Sequence, residues 1–178
     1  EYEKSYTYFK AIKTATIDFD EICYVDDLCK LKNKKQLINL INSGKKKIGV
    51  VFNLDKMSED GSHWVSLFID LQDNFIFYFD SNGDKIPKEI KTFIDRIKGF
   101  CSQLENPIEL QEYNNYKVQH QLENSECGMY SLFFIITMLT GKMNNLPFNS
   151  IDDKIQLFRE PRIPDNYVNE FRKIYFKG

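Results

Sequence analysis

A chain of 178 residues with 42% hydrophobic and 15% aromatic residues is long enough to bury a core and too apolar to stay disordered. A formal net charge of −2, with Lys interleaved among Asp and Glu, implies no nucleic acid or other acidic polymer as a partner. Four scattered cysteines (Cys23, Cys29, Cys101, Cys127) suit reduced thiols in a cytosol-like compartment better than a disulfide framework, and no apolar run reaches the roughly 18 residues of a membrane span.

Glu1 in place of an initiator Met points to a fragment or a processed form. Residues 1–45 read as a helical arm, with Leu37, Leu40 and Ile41 at helical spacing over 34–42 and Gly44 as the stop. Lys45-Lys46-Lys47 is expected to be a solvated loop, followed by a buried strand from Ile48 to Leu54. The polar stretch Met57 to Ser62 is a loop. His63 to Asp70 and Phe75 to Asp80 are strands joined through Gln72-Asp73-Asn74, hence an antiparallel hairpin.

Beyond Pro87, which a helix start tolerates, Ile90, Phe93, Ile94, Ile97, Cys101 and Leu104 make one apolar stripe of period 3.6. Ile108 to Tyr113 and Tyr116 to Gln121 are weaker strands about a turn at Asn114-Asn115. Cys127 to Leu139 is a largely apolar helix ending near Gly141. A closing helix, about Asp165 to Tyr175, is expected to turn Val168, Phe171, Ile174 and Tyr175 inward. The pattern is α+β, with the arm (1–45) packed on or preceding a core of residues 46–178.

Cys127 stands at the start of its helix, where the helix dipole favours thiolate, and Gly128 beside it leaves the backbone open to a substrate carbonyl. Taken alone, a lone cysteine is more readily a buried structural residue than a nucleophile. A nucleophile needs a base, and the chain has two histidines, His63 and His120. If the hairpin forms, Asp80 lies beside His63 on the next strand and orients its imidazole, which favours His63. The Cys127 backbone N–H is one oxyanion donor; Gln121 is a candidate for the second, with Gln119 equally near. Cys23-x5-Cys29 with two unclustered histidines makes a poor zinc set, so no metal or other cofactor is expected.

The ordered set His63-Trp64, Asp80-Ser81 and Gln121-x-x-Asn124-x-Glu126-Cys127-Gly128 resembles the SUMO-protease and adenovirus-protease superfamily of cysteine peptidases, over roughly residues 48–140. The resemblance implies a fold related to papain, with a central mixed β-sheet flanked by helices and the nucleophile at the N-terminus of a buried helix. It makes His63 the base, Asp80 its orienter, Gln121 the oxyanion donor, Cys127 the nucleophile and Trp64 a wall of the substrate site, beside Gly128. Gly49 to Asp55, Gly61 to Trp64 and Phe79 to Gly83 look most like the virion-processing peptidases of large cytoplasmic DNA viruses, the African swine fever virus and poxvirus types included. That likeness implies cleavage of structural polyproteins after Gly-Gly-type or Ala-Gly-type sites, in host cytoplasm or virion. Glu126 departs from the family's usual Asp. Trp64 is the single tryptophan, where SUMO-specific members commonly use a second to cover the Gly-Gly tail. The alternatives are an isopeptidase acting on ubiquitin or SUMO, and a non-catalytic protein-binding module that retains the fold.

Overall fold

Residues 9–16 turn Phe9, Ile12 and Ala15 inward and form a strand, β1 (Phe9–Thr16), after the single turn α1 (Tyr2–Ser5). The structure, a computed structural model, describes residues 1–143 and 146–176. The helical arm expected before residue 46 is therefore corrected. Only α1, α2 (Asp26–Lys30) and α3 (Lys34–Asn42) are helical there, and β1 pairs in parallel with β2 (Lys47–Asn53). Phe9 packs on the α5 face of the sheet and Ile12 and Ala15 on the opposite face, and a register shift between the last two brings them to the same side. Without β1, β2 would present a row of unpaired backbone groups.

Two further expectations fail in this region. Cys23 and Cys29 are not free thiols but a disulfide, because the chain folds back after Asp18 and brings their Cα atoms to 5.6 Å. Cys101 and Cys127 are free. The lysine run is a solvated loop only at Lys46, which is exposed. Lys45 Nζ donates to the Thr7 and Phe9 carbonyls at 2.9 and 2.8 Å, and Lys47, nearly buried, pairs with Asp70 at 2.9 Å.

The hairpin forms as expected. β3 (Trp64–Asp70) is antiparallel to β2 and to β4 (Phe75–Phe79). After α4 (Lys88–Ser102), whose N-cap is Pro87, the chain returns as β5 (Gln111–Asn114), parallel to β4. The mixed sheet runs β1-β2-β3-β4-β5. Strand alternation divides its side chains between two layers. Val65, Leu67, Ile69, Ile76 and Tyr78 meet the α4 stripe of Ile90, Phe93, Ile94 and Ile97. Phe68, Phe75, Phe77 and Phe79 meet α5 (Cys127–Thr140) on the other face. Burial on both faces is why these strands read as nearly unbroken apolar runs. Gly49 marks the close approach of α5 to the sheet, for a Cβ there would stand 2.8 Å from Ile135 Cγ2.

Residues 116–121 are not a strand. The His120 and Gln121 N–H groups both donate to the Ser81 carbonyl, at 2.8 and 2.9 Å, so the segment is pinned to residue 81 instead of joining a ladder. Gly83, at φ +73°, lets that loop lie close: a Cβ would sit 2.6 Å from the Val118 carbonyl oxygen. Past the short ribbon β6 (Lys142–Met143) and β7 (Leu146–Pro147), helix α6 (Ile151–Arg159) packs on the α5 layer. The closing helix is broken at Phe171 into α7 (Asp165–Glu170) and α8 (Arg172–Tyr175). The break rotates the last turn, so Val168 is buried and Phe171 and Tyr175 pack on the core while Ile174 points to solvent.

Candidate active site

Antiparallel pairing of β3 and β4 ends at Ser66↔Phe79, which leaves His63 and Asp80 facing each other just beyond the ladder. His63 Nε2 lies 2.6 Å from Asp80 Oδ1, with Asp80 fully buried. The same Oδ1 accepts the Asn82 N–H at 2.9 Å. Asn115, buried at the end of β5, grips the Asp80 backbone twice. Its Oδ1 accepts the Asp80 N–H at 2.9 Å and its Nδ2 donates to the Asp80 carbonyl at 2.6 Å.

Cys127 is the first residue of α5 and is 7% exposed. With Nε2 taken by Asp80, the other imidazole nitrogen is the one available to the thiol, and His63 and Cys127 are hydrogen-bonded. Burial alone would push the thiol up. The His63 hydrogen bond, the Trp64 N–H, the His63 charge and the Gly128 N–H together hold it below the usual thiol range. For His63, burial favours the neutral ring, but hydrogen bonds to Asp80 and Cys127 and the charges of both raise it to about 9. The arrangement favours a thiolate–imidazolium pair.

Gln121 joins them. Its Oε1 accepts from Ser81 Oγ at 2.7 Å and its Nε2 donates to the Glu123 carbonyl, which leaves one amide hydrogen uncommitted beside Cys127. Gln119, the competing amide, likewise donates once from Nε2, to the Gln121 carbonyl at 2.9 Å, and what sets Gln121 apart is the buried Ser81 hydroxyl that fixes its amide plane. His120 is elsewhere in function as well as place. Fully buried, it accepts the Ile163 N–H at Nδ1 (3.0 Å) and donates from Nε2 to the Phe158 carbonyl (2.9 Å). Burial lowers its pKa, and the neutral ring ties the C-terminal segment to the core.

Two clefts meet at Cys127. One, of about 480 Å³, runs past Trp64 and Gly128 to Thr14, Val51, Arg172 and Phe176. Nothing lies within 4 Å of where a Gly128 Cβ would stand. The other, of about 350 Å³, holds His63, Asn82, Gln119, Gln121 and Leu122. Among the described residues no cluster of three or more His, Cys, Asp or Glu side chains could hold a metal ion. Sequence reasoning missed Asn115, which carried only the signature of a turn, and Arg172, which carried none.

Residues 6–176 match the family described as the Ulp1 protease family, C-terminal catalytic domain. A thiol protease of Acanthamoeba polyphaga mimivirus is 34% identical over 180 residues, 99% of this chain and 53% of that protein. The crystal structure of an African swine fever virus protease superimposes with a TM-score of 0.75 at 22% identity, over 96% of this chain and 61% of that one. The Chlamydia trachomatis effector Cdu1, solved bound to ubiquitin, gives a TM-score of 0.55 at 14% identity, over 97% and 88%. The chain thus spans little more than half the length of the mimivirus relative.

Proposed function

Because this chain belongs to the Ulp1 protease family and is a cysteine peptidase, we propose that it cleaves protein substrates after a small residue, at Gly-Gly-type or Ala-Gly-type sites, with Cys127 as nucleophile. The observation that carries this reading is the run of contacts Cys127–His63–Asp80 at the meeting of two clefts. The Cys127 thiolate attacks the scissile carbonyl carbon, forming a C–S bond and an oxyanion. Gln121 Nε2 and the Cys127 backbone N–H are the donors to that oxygen. The His63 imidazolium gives its proton to the amine as the C–N bond breaks, leaving a thioester. Water then attacks, passing a proton to His63, and the acid leaves with release of the thiolate. Asp80 holds His63 in place and stabilises its cationic form throughout.

His63 lines the smaller cleft and not the larger, so the leaving amine belongs in the former and the acyl side in the latter. Trp64 and the bare Gly128 backbone flank the acyl side, a passage suited to glycine. The natural substrate is a structural polyprotein on the likeness to the viral proteases. The second reading, an isopeptidase on ubiquitin-like modifiers, draws on the ubiquitin complex of Cdu1. Incubation with Gly-Gly polyprotein peptides and with ubiquitin and SUMO vinyl-methyl-ester probes separates them. Cleavage of the peptides without probe labelling is the expected result, and stoichiometric labelling overturns the polyprotein-only view. A Cys127→Ala protein that still cleaved would overturn both.

A further inference from the structure

We propose that Arg172 is a specificity-determining residue, whose guanidinium receives an acidic side chain of the substrate a few residues upstream of the scissile bond; this rests on the acyl-side reading of the larger cleft. Apart from the Cys127 thiolate, Arg172 is the only charged residue among the described residues lining that cleft, whose walls are otherwise Thr, Ser, Asn, Gly and apolar groups. Its side chain is 51% exposed.

The guanidinium is held rather than free. Nε donates to Asn169 Oδ1 at 3.1 Å and Nη2 donates to Glu126 Oε2 at 3.2 Å. The preceding residue, Phe171, anchors the helix break by packing on Phe133, Tyr167 and Tyr175. Glu126 is 5% exposed, so it satisfies the buried side of the pair while half of the Arg172 side chain remains open to the cleft. A pre-positioned guanidinium loses little rotamer freedom when a carboxylate arrives, and it has five N–H donors, more than these two partners use.

The reach is fixed by chain geometry. Arg172 contacts the residue next to the nucleophile, and an extended substrate advances about 3.3 Å per residue. Glycines next to the scissile bond offer no side chain, so the third or fourth residue upstream is the first that can present a carboxylate. A substrate with Lys or Arg at that place is disfavoured by like charge.

Quenched-fluorescence peptides carrying Glu, Gln or Lys at each of the second to fifth positions upstream of the scissile Gly test this. The enzyme is expected to prefer Glu over Gln about fivefold in kcat/KM at one of these positions, the scale of a half-exposed ion pair, expressed mainly in KM. The preference is expected to vanish in Arg172→Gln, to reverse toward Lys in Arg172→Glu, and to shrink in about 0.5 M salt. The double variant Glu126→Gln/Arg172→Gln, which leaves no buried carboxylate unpaired, is expected to lose the preference while keeping its fold by circular dichroism. The same series measured as Kd on Cys127→Ala reads selection without cleavage. Equal treatment of Glu and Gln peptides at all four positions overturns the proposal, whereas absence of cleavage with Glu-selective binding overturns only the catalytic reading.

Discussion

Replacing Asp80 with Asn keeps the size of the side chain and the oxygen that accepts the Asn82 N–H, and removes the charge facing His63. His63 ordinarily titrates at 6.5; burial pulls it lower, and hydrogen bonds and charges from Asp80 and Cys127 carry it to about 9. That difference is worth on the order of 3 kcal/mol in favour of imidazolium, shared between the two partners. If Asp80 supplies half, its loss costs roughly 1.5 kcal/mol and brings His63 down about one pH unit. The sign follows from the proton's task. Leaving-group protonation needs the imidazolium, present below about 9 and lost above it, so the alkaline limb of kcat/KM is His63. The acid limb is Cys127, whose lowered pKa keeps thiolate present until the pH falls below the usual thiol range.

In Asp80→Asn the alkaline limb moves down by about one unit, whereas the acid limb does not move up, because His63 is still fully protonated at acid pH and the thiolate keeps its cationic partner. The working window narrows from the alkaline side. Stability follows the same linkage. Protonated His63 contributes fully below 6.5 and loses its contribution as pH rises through about 9, so Tm falls less over that range in the variant. The assay is kcat/KM on a Gly-Gly amide peptide from pH 5 to 10, with the rate of iodoacetamide alkylation of Cys127 as a chemistry-free check. An alkaline limb that stays in place would refute the assignment of Asp80 as the group that holds His63 protonated.

His120→Leu strands the Ile163 N–H and the Phe158 carbonyl in the core, at a cost of about 1–3 kcal/mol each, so Tm falls in a thermal melt while kcat of the folded fraction holds; loss of kcat at full Tm would return the base assignment to His120. Gln121→Ala lowers kcat by about 10²-fold with KM and Tm little changed in steady-state kinetics, and Gln119→Ala does not; equal losses would transfer the oxyanion role. Opening the Cys23–Cys29 link by Ser substitution at both positions lowers unfolding free energy by about 2 kcal/mol in a urea titration, from the short loop it closes, and leaves kcat unchanged.

The sheet was legible where strands are short, buried on both faces and bounded by polar turns. Residues 63–80 form two short, nearly unbroken apolar runs about a polar turn, so that strand, turn and pairing follow from the residues alone, and with them the meeting of His63 and Asp80. The α4 stripe and the apolar run of α5 are equally plain. What stayed hidden depends on distant partners. β1 has buried side chains spaced by three, a helical spacing that becomes a strand because Phe9 packs on one face of the sheet, Ile12 and Ala15 on the other, and a bulge separates the last two. Residues 116–121 have strand-like composition, yet their N–H groups are claimed by Ser81, 40 residues from Gln121. The Cys23–Cys29 link depends on a fold-back that neither count nor spacing encodes. Among the candidate residues, the order along the chain singled out His63, Asp80, Gln121 and Cys127. What only coordinates reveal is that His120 is spent on the Ile163 N–H and the Phe158 carbonyl, and that Ser81 fixes the Gln121 amide.

Asn115 shows how the orienting carboxylate obtains its rigidity. The β4–β5 ladder ends at Tyr78↔Asn114, and one residue later a side-chain amide offers Asp80 the acceptor and donor that another strand would have offered. The sheet in effect gains one more rung, made from a side chain instead of backbone. Asp80 is therefore clamped as a strand residue although it lies outside the strand, and its carboxylate inherits the stiffness of the sheet before any substrate arrives. The alignment of His63 is then a property of the resting fold, set by a residue that never touches the imidazole.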